Sequence, residues 1–144
     1  MNYSGNSEGR RIKYDDDDDE IYTRLKSSSG PLNSLDNVDI FALALMYGKK
    51  NGVRTPLNKN AIGRIRKSTL DNSNIRLLMM AIAVEETGDM EVLVDEDKYF
   101  KISEEYAKAG LTFLNSEYVE KIDDILNDLE MEMIDFYDES NIKI

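Results

Sequence analysis

Apolar residues along this chain fall into runs whose spacing predicts helices. IFALALMY, at 40–47, is apolar on every side, which predicts a central helix buried all round. Asp36 or Asn37 stands where a side chain accepts an orphan backbone N–H, and Gly48 and then Asn51-Gly52 supply a stop. Past the Thr55-Pro56 turn, Leu57, Ala61, Ile62, Ile65 and Leu70 recur at helical spacing, which predicts a short, imperfect helix weakened at Gly63. NIRLLMMAIAVEET, at 74–87, is a stronger one, capped by Asn72 or Ser73 and ended by Gly88.

Glu91 to Val94 has some β character and predicts a small extended segment. Asp95 then caps a helix over 96–101, and Ser103 caps a separate one, EEYAKAGLTFL, at 104–114. A last helix, opened by Asn115 or Ser116, carries Tyr118, Ile122, Ile125, Leu129, Met133 and Phe136 as one amphipathic stripe. About five helices with short connections predict an all-α fold, a small helical bundle over 36–140. Residues 1–35 read instead as a disordered acidic tail and linker: Asp15 to Asp19 and Glu20 repel one another, and Ser27-Ser28-Ser29-Gly30-Pro31 is linker composition. Within that tail, Ile21 to Leu25 reads as a short element that could dock on the domain.

The chain has 144 residues, enough for one domain with a real core, and a formal net charge of -11. Cysteine and histidine are both absent, which excludes disulfides, thiolate and imidazole chemistry and Cys/His zinc sites. The first twenty residues hold no apolar signal region, and no apolar run approaches the roughly 20 residues of a membrane helix. A cytoplasmic protein without membrane contact is expected.

Charge is unevenly distributed. Residues 1–48 carry -4, residues 49–76 carry +7 and residues 85–144 carry -14. The stretch GKKNGVRTPLNKNAIGRIRKSTL holds Lys49, Lys50, Arg54, Lys59, Arg64, Arg66 and Lys67 and no acid. Such a block either meets an external anion, as in salt-dependent nucleic-acid binding, or balances the carboxylates of a partner, a second copy or the chain itself. Contact with a partner or with its own acids weighs more than nucleic acid here.

Glu117, Glu120, Asp123, Asp124, Asp128, Glu130, Glu132, Asp135, Asp138 and Glu139 admit a second reading, imitation of phosphate spacing by an inhibitory DNA mimic. A solvated helix face is the commoner meaning of such acids. The Asp15–Glu20 run lacks the alternating ligands and glycine of an EF-hand loop. Glu96-Asp97-Lys98 matches the short acid-x-Lys element of metal-dependent nucleases, with Asp89 upstream as a candidate second ligand, an unspecific match. No phosphate-binding glycine loop occurs, so no cofactor or resident metal is expected and no catalytic residue is assigned.

Two stretches together carry a resemblance. DIFALALMYGKKNGVRTPL, at 39–57, and EEYAKAGLTFL, at 104–114, resemble the small accessory proteins encoded beside DNA phosphorothioation (Dnd-type) restriction genes. The shared order is an apolar helix, a glycine–basic turn ending in proline, and later an acidic helix running into glycine and apolar residues. The resemblance implies an accessory part of a prokaryotic defence system acting on DNA through a complex, and the lack of a recognisable active site favours a non-enzymatic role. Its partner would be a defence-system protein, DNA, or both; the contact set expected from the charge pattern, not from the resemblance, is the seven cations of the acid-free block.

Overall fold

The computed structural model describes residues 10–27, 31–119, 130–135 and 138. These form a mostly helical fold, as the apolar spacing predicts, with one two-stranded sheet that it does not. In chain order the elements are β1 (Ile12–Tyr14), α1 (Asp16–Ser27), α2 (Asn37–Asn51), β2 (Ile62–Ile65), α3 (Lys67–Asn72), α4 (Ile75–Thr87) and α5 (Glu96–Leu114).

Residues 10–27 correct the expectation of a disordered tail. Asp16 to Asp19 occupy the first turn of α1 and Arg24 and Lys26 the last, which suits the helix dipole at both ends. The repulsion that argues for disorder is relieved because Asp15 and Asp18 meet Lys108, and Asp16 and Asp19 meet Arg64. Tyr22 and Leu25, three apart on one face, are buried, and the Tyr22 ring stacks on Tyr14 with centroids 4.2 Å apart. The short element expected at 21–25 is thus one turn and more of a docked helix.

Helix α2 begins where the sequence places it: the Asp36 backbone N–H donates to Asp39 Oδ2 at 3.1 Å. It is not buried all round, since Met46 is exposed. The most enclosed helix is α5, which joins into one 19-residue unit the two helices expected around Ser103. Asp95 caps it by accepting from the Lys98 N–H at 3.2 Å. Ser103 lies inside it, fully buried, with its hydroxyl unpaired among the described residues, so it is no cap.

Helices α2 and α5 touch backbone to backbone. A Cβ on Gly48 would stand 1.9 Å from the Tyr106 carbonyl oxygen, and one on Gly110 1.7 Å from that of Ala44. Only the absence of side chains at both positions allows this approach, and Ala44 and Ala107, both buried, line the same contact region by sequence spacing.

The expected helix over 57–70 is a loop, then β2, then the short α3. β2 pairs antiparallel with β1 in the register Ile12↔Ile65, Lys13↔Gly63, Tyr14↔Ile62, with an irregularity between Ile12 and Lys13. Gly63, a weak point for a helix, suits this strand: a Cβ there would meet the Arg11 Cβ at 2.9 Å. Ile65 is buried beside Ile12, and the strand exists because its partner arrives from 50 residues upstream. The extended segment expected at 91–94 is a 3₁₀ turn, Met90–Val94, started by Asp89, whose Oδ1 accepts the Glu91 N–H at 2.9 Å. Helix α4 ends at Gly88, as expected, with φ at 66°.

Beyond α5, residues 115–119 continue with π-helical hydrogen bonding. Of the stripe expected in the last helix, Ile122, Ile125, Leu129 and Phe136 lie outside the described residues, and Met133 is exposed at 71%. No helix among the described residues is long and apolar enough to cross a membrane.

Candidate interaction surface

The seven cations of the acid-free block spread over the end of α2, the 52–61 loop, β2 and the start of α3. Four of them are met by carboxylates of the same chain. Lys49 Nζ lies 2.5 Å from Glu85 Oε1. Arg54 spans two helices, with Nη1 2.8 Å from Glu86 Oε2 on α4 and Nη2 2.7 Å from Glu105 Oε1 on α5. Arg64 pairs with Asp16, lies 3.8 Å from Asp19 Oδ1, donates to the Tyr14 carbonyl and stacks over the Tyr14 ring. Lys67 Nζ donates to Glu96 at 2.9 Å, and Arg76 holds the same carboxylate at 2.7 Å.

Lys50, Lys59 and Arg66 differ. All three are exposed and make no ion pair among the described residues. The acids that balance the block come from α1, α4 and α5; the acidic positions after 119 take no part among the described residues. The internal counterweight is real, but it draws on Glu85, Glu86, Glu96, Glu105, Asp16 and Asp19.

Helix α5 organises the rest. Arg10 grips Glu104 with two donors at 2.8 and 2.9 Å, and the Lys13 backbone N–H donates to Glu104 Oε2 at 2.7 Å. Burial pushes the Glu104 carboxyl above the usual range, while the Arg10 guanidinium, itself partly buried, is held above its ordinary value by Glu104 and Asp97. Three donors aimed at one carboxylate fix the ionised pair.

One turn on, Lys108 Nζ lies 2.6 Å from Asp15 Oδ2 and 3.0 Å from Asp18 Oδ2. Burial raises the Asp18 carboxyl against the pull of Lys108. The Tyr106 hydroxyl donates to Glu86, which together with Arg54 holds that carboxyl below its usual range.

Glu104, Glu105 and Lys108 therefore belong to the buried framework. As a pair, Glu104-Glu105 reads in sequence like any surface helix. The signal that marks it is its setting: both acids lie in a stretch that also holds Ile102, Tyr106, Ala107, Ala109 and Leu111, all buried.

The nuclease-like reading assembles only in part: Asp89 and Lys98 line one hollow with Glu91 and Asp95, without Glu96. Asp89 caps the 3₁₀ turn, whereas Glu96 is occupied by Lys67 and Arg76. Among the described residues no three acidic side chains are grouped so as to hold a metal ion. Of the acids read as a phosphate mimic, Glu117, Glu130, Glu132, Asp135 and Asp138 are exposed, and Glu120, Asp123, Asp124, Asp128 and Glu139 lie outside the described residues.

A cleft of about 520 Å³ opens between β1, the 56–61 loop and α5. Arg10, Lys13, Lys59 and Lys101 line it together with Asp97, Glu104 and Glu105.

Compared with known proteins, residues 11–143 match the model of one family, described as DNA sulphur modification system-associated protein 4. No curated protein and no solved structure matches the chain.

Proposed function

Because this chain belongs to the DNA sulphur modification system-associated protein 4 family, we propose that it is a non-enzymatic accessory protein of that system, working in the cytoplasm by binding another of its protein components. One observation favours a protein partner over DNA. Lys49, Arg54, Arg64 and Lys67, four of the seven cations, are neutralised by the chain's own carboxylates. Three remain outward, Lys50, Lys59 and Arg66, on a chain of net charge -11. Nucleic-acid binding draws on many phosphate contacts at once, each releasing counterions, and three dispersed cations supply few. They suffice to set register and on-rate against an acidic protein face.

The test measures equilibrium binding to each purified component of the system, and to duplex and single-stranded DNA at two salt concentrations. Reversing Lys50 and Arg66 to glutamate should weaken one protein complex at least tenfold and leave the fold intact. Unchanged binding removes the patch. Steeply salt-dependent DNA binding, lost in the same variant, transfers the patch to DNA. If instead the protein binds a DNA-handling component and DNA displaces it, with the Lys50/Arg66 variant unaffected, the acidic mimic is the better account. DNA cleavage that needs Mg²⁺ and is lost in Lys98→Ala would replace all of these with a nuclease.

A further inference from the structure

The cleft between β1, the 56–61 loop and α5 combines features that a simple charged surface lacks. Its carboxylates are already satisfied. Glu104 is held by Arg10 and the Lys13 N–H, Asp97 by Arg10 at 3.1 Å, and Glu105 by Arg54 from outside the cleft. Lys13, Lys59 and Lys101 are all exposed and make no ion pair among the described residues. The uncommitted charge of the cleft is therefore positive, on a chain whose net charge is strongly negative. Four lining cations against three carboxylates leave the cleft with one net positive charge, which favours an anion beside the three lysines.

The remaining lining narrows the anion. Pro56, Leu57 and Ala61 form an apolar wall, and Asn58 adds a carboxamide that can both donate and accept. The Asn58 backbone N–H is tied to Asp15 Oδ1 at 3.0 Å, which anchors this loop on the buried Lys108 pair. About 520 Å³ lies within the range that takes a small organic ligand. We propose that this cleft binds a nucleotidyl phosphate, the phosphate on the three lysines and the base against the Pro56–Leu57 wall. The ligand is either a free mononucleotide or one unit of a nucleic-acid strand. Lys59 belongs to both surfaces, whereas Lys13 and Lys101 lie outside the acid-free block, so variants at those two test this site separately from the partner surface at Lys50 and Arg66.

Calorimetric titration with 5′-dAMP, with deoxyadenosine and with a trideoxynucleotide tests it. Binding of dAMP, at least tenfold weaker for deoxyadenosine, supports the site and identifies a free nucleotide as sufficient. Binding of the trinucleotide alone supports the strand as the source. In both cases Lys13→Ala combined with Lys101→Ala should weaken binding at least tenfold, and Lys50→Ala with Arg66→Ala should leave it unchanged. Both lysine side chains are exposed, and the Lys13 backbone bond to Glu104 survives truncation, so a thermal melt should show the double variant folded. No binding of either phosphate probe, equal binding of deoxyadenosine, or an unaffected Lys13/Lys101 variant overturns the proposal.

Discussion

Replacing Gly48 with alanine separates two physical effects of opposite sign. In an isolated helix this change stabilises by about 1 kcal/mol, because glycine carries more backbone entropy than alanine. In the fold the new methyl would lie 1.9 Å from the Tyr106 carbonyl oxygen and 2.7 Å from its carbon. Carbon–oxygen contacts settle near ~3.3 Å, so α2 and α5 would have to part by about 1.4 Å. The obstacle is backbone, so no rotamer change relieves it. Overpacking of a close-packed core costs about 1–3 kcal/mol and sometimes more, and a backbone clash belongs at the upper end. Subtracting the helix gain leaves a net loss of about 2 kcal/mol, or about 30-fold in the folding constant. Urea denaturation followed by circular dichroism would read this as a lower midpoint, and a thermal melt as a fall of roughly 8 °C. A variant as stable as the parent, or more so, would refute the close helix approach.

Three further outcomes follow from the ion pairs. Lys108→Met strands the buried carboxylates of Asp15 and Asp18 and should cost about 3 kcal/mol, measured by the same denaturation. Asp18→Asn in that background should recover part of the loss; a fully additive pair would deny the contact. Glu86, held low by Tyr106 and Arg54, contributes stability that is present above the unfolded glutamate pKa and lost as pH falls through its lowered folded value. The difference in melting temperature between the parent and Glu86→Gln should therefore shrink as pH drops below the ordinary glutamate range, and a constant difference down to pH 3 would contradict it. Asp18 and Glu104, raised by burial, act in the opposite sense, so comparison with the variant isolates Glu86.

Local signals located the start of α2, its stop at Gly52 and the end of α4, but not the start of α4. Asn72 and Ser73, expected to cap α4, end α3 instead, and α4 opens after Asn74, while Gly48 lies inside α2. Asp36, Asp39 and Gly88 act within one turn of their own helix, and the chemistry of a cap or a stop is complete in a few residues. The same local reading misplaced residues 57–70. Ile62, Ile65 and Leu70 fit a helical period, but Ile62 to Ile65 gains more by pairing with Ile12 to Tyr14, which no window of that stretch contains. It also misread the aspartate run, whose repulsion is visible in sequence while Lys108 and Arg64, more than 40 residues away, are not.

Segregation of charge, the mostly helical character and the absence of cysteine and histidine chemistry were determined by the sequence alone, because each depends only on residue type and order. Which cations face outward was decided by tertiary structure. Arg54 and Lys59 look equivalent within one basic block, yet Arg54 bridges Glu86 and Glu105 while Lys59 lines a cleft beside Lys13 and Lys101. A charge is available to a partner only after folding has assigned the nearest carboxylate. That assignment depends on distances between segments that the order of residues does not display.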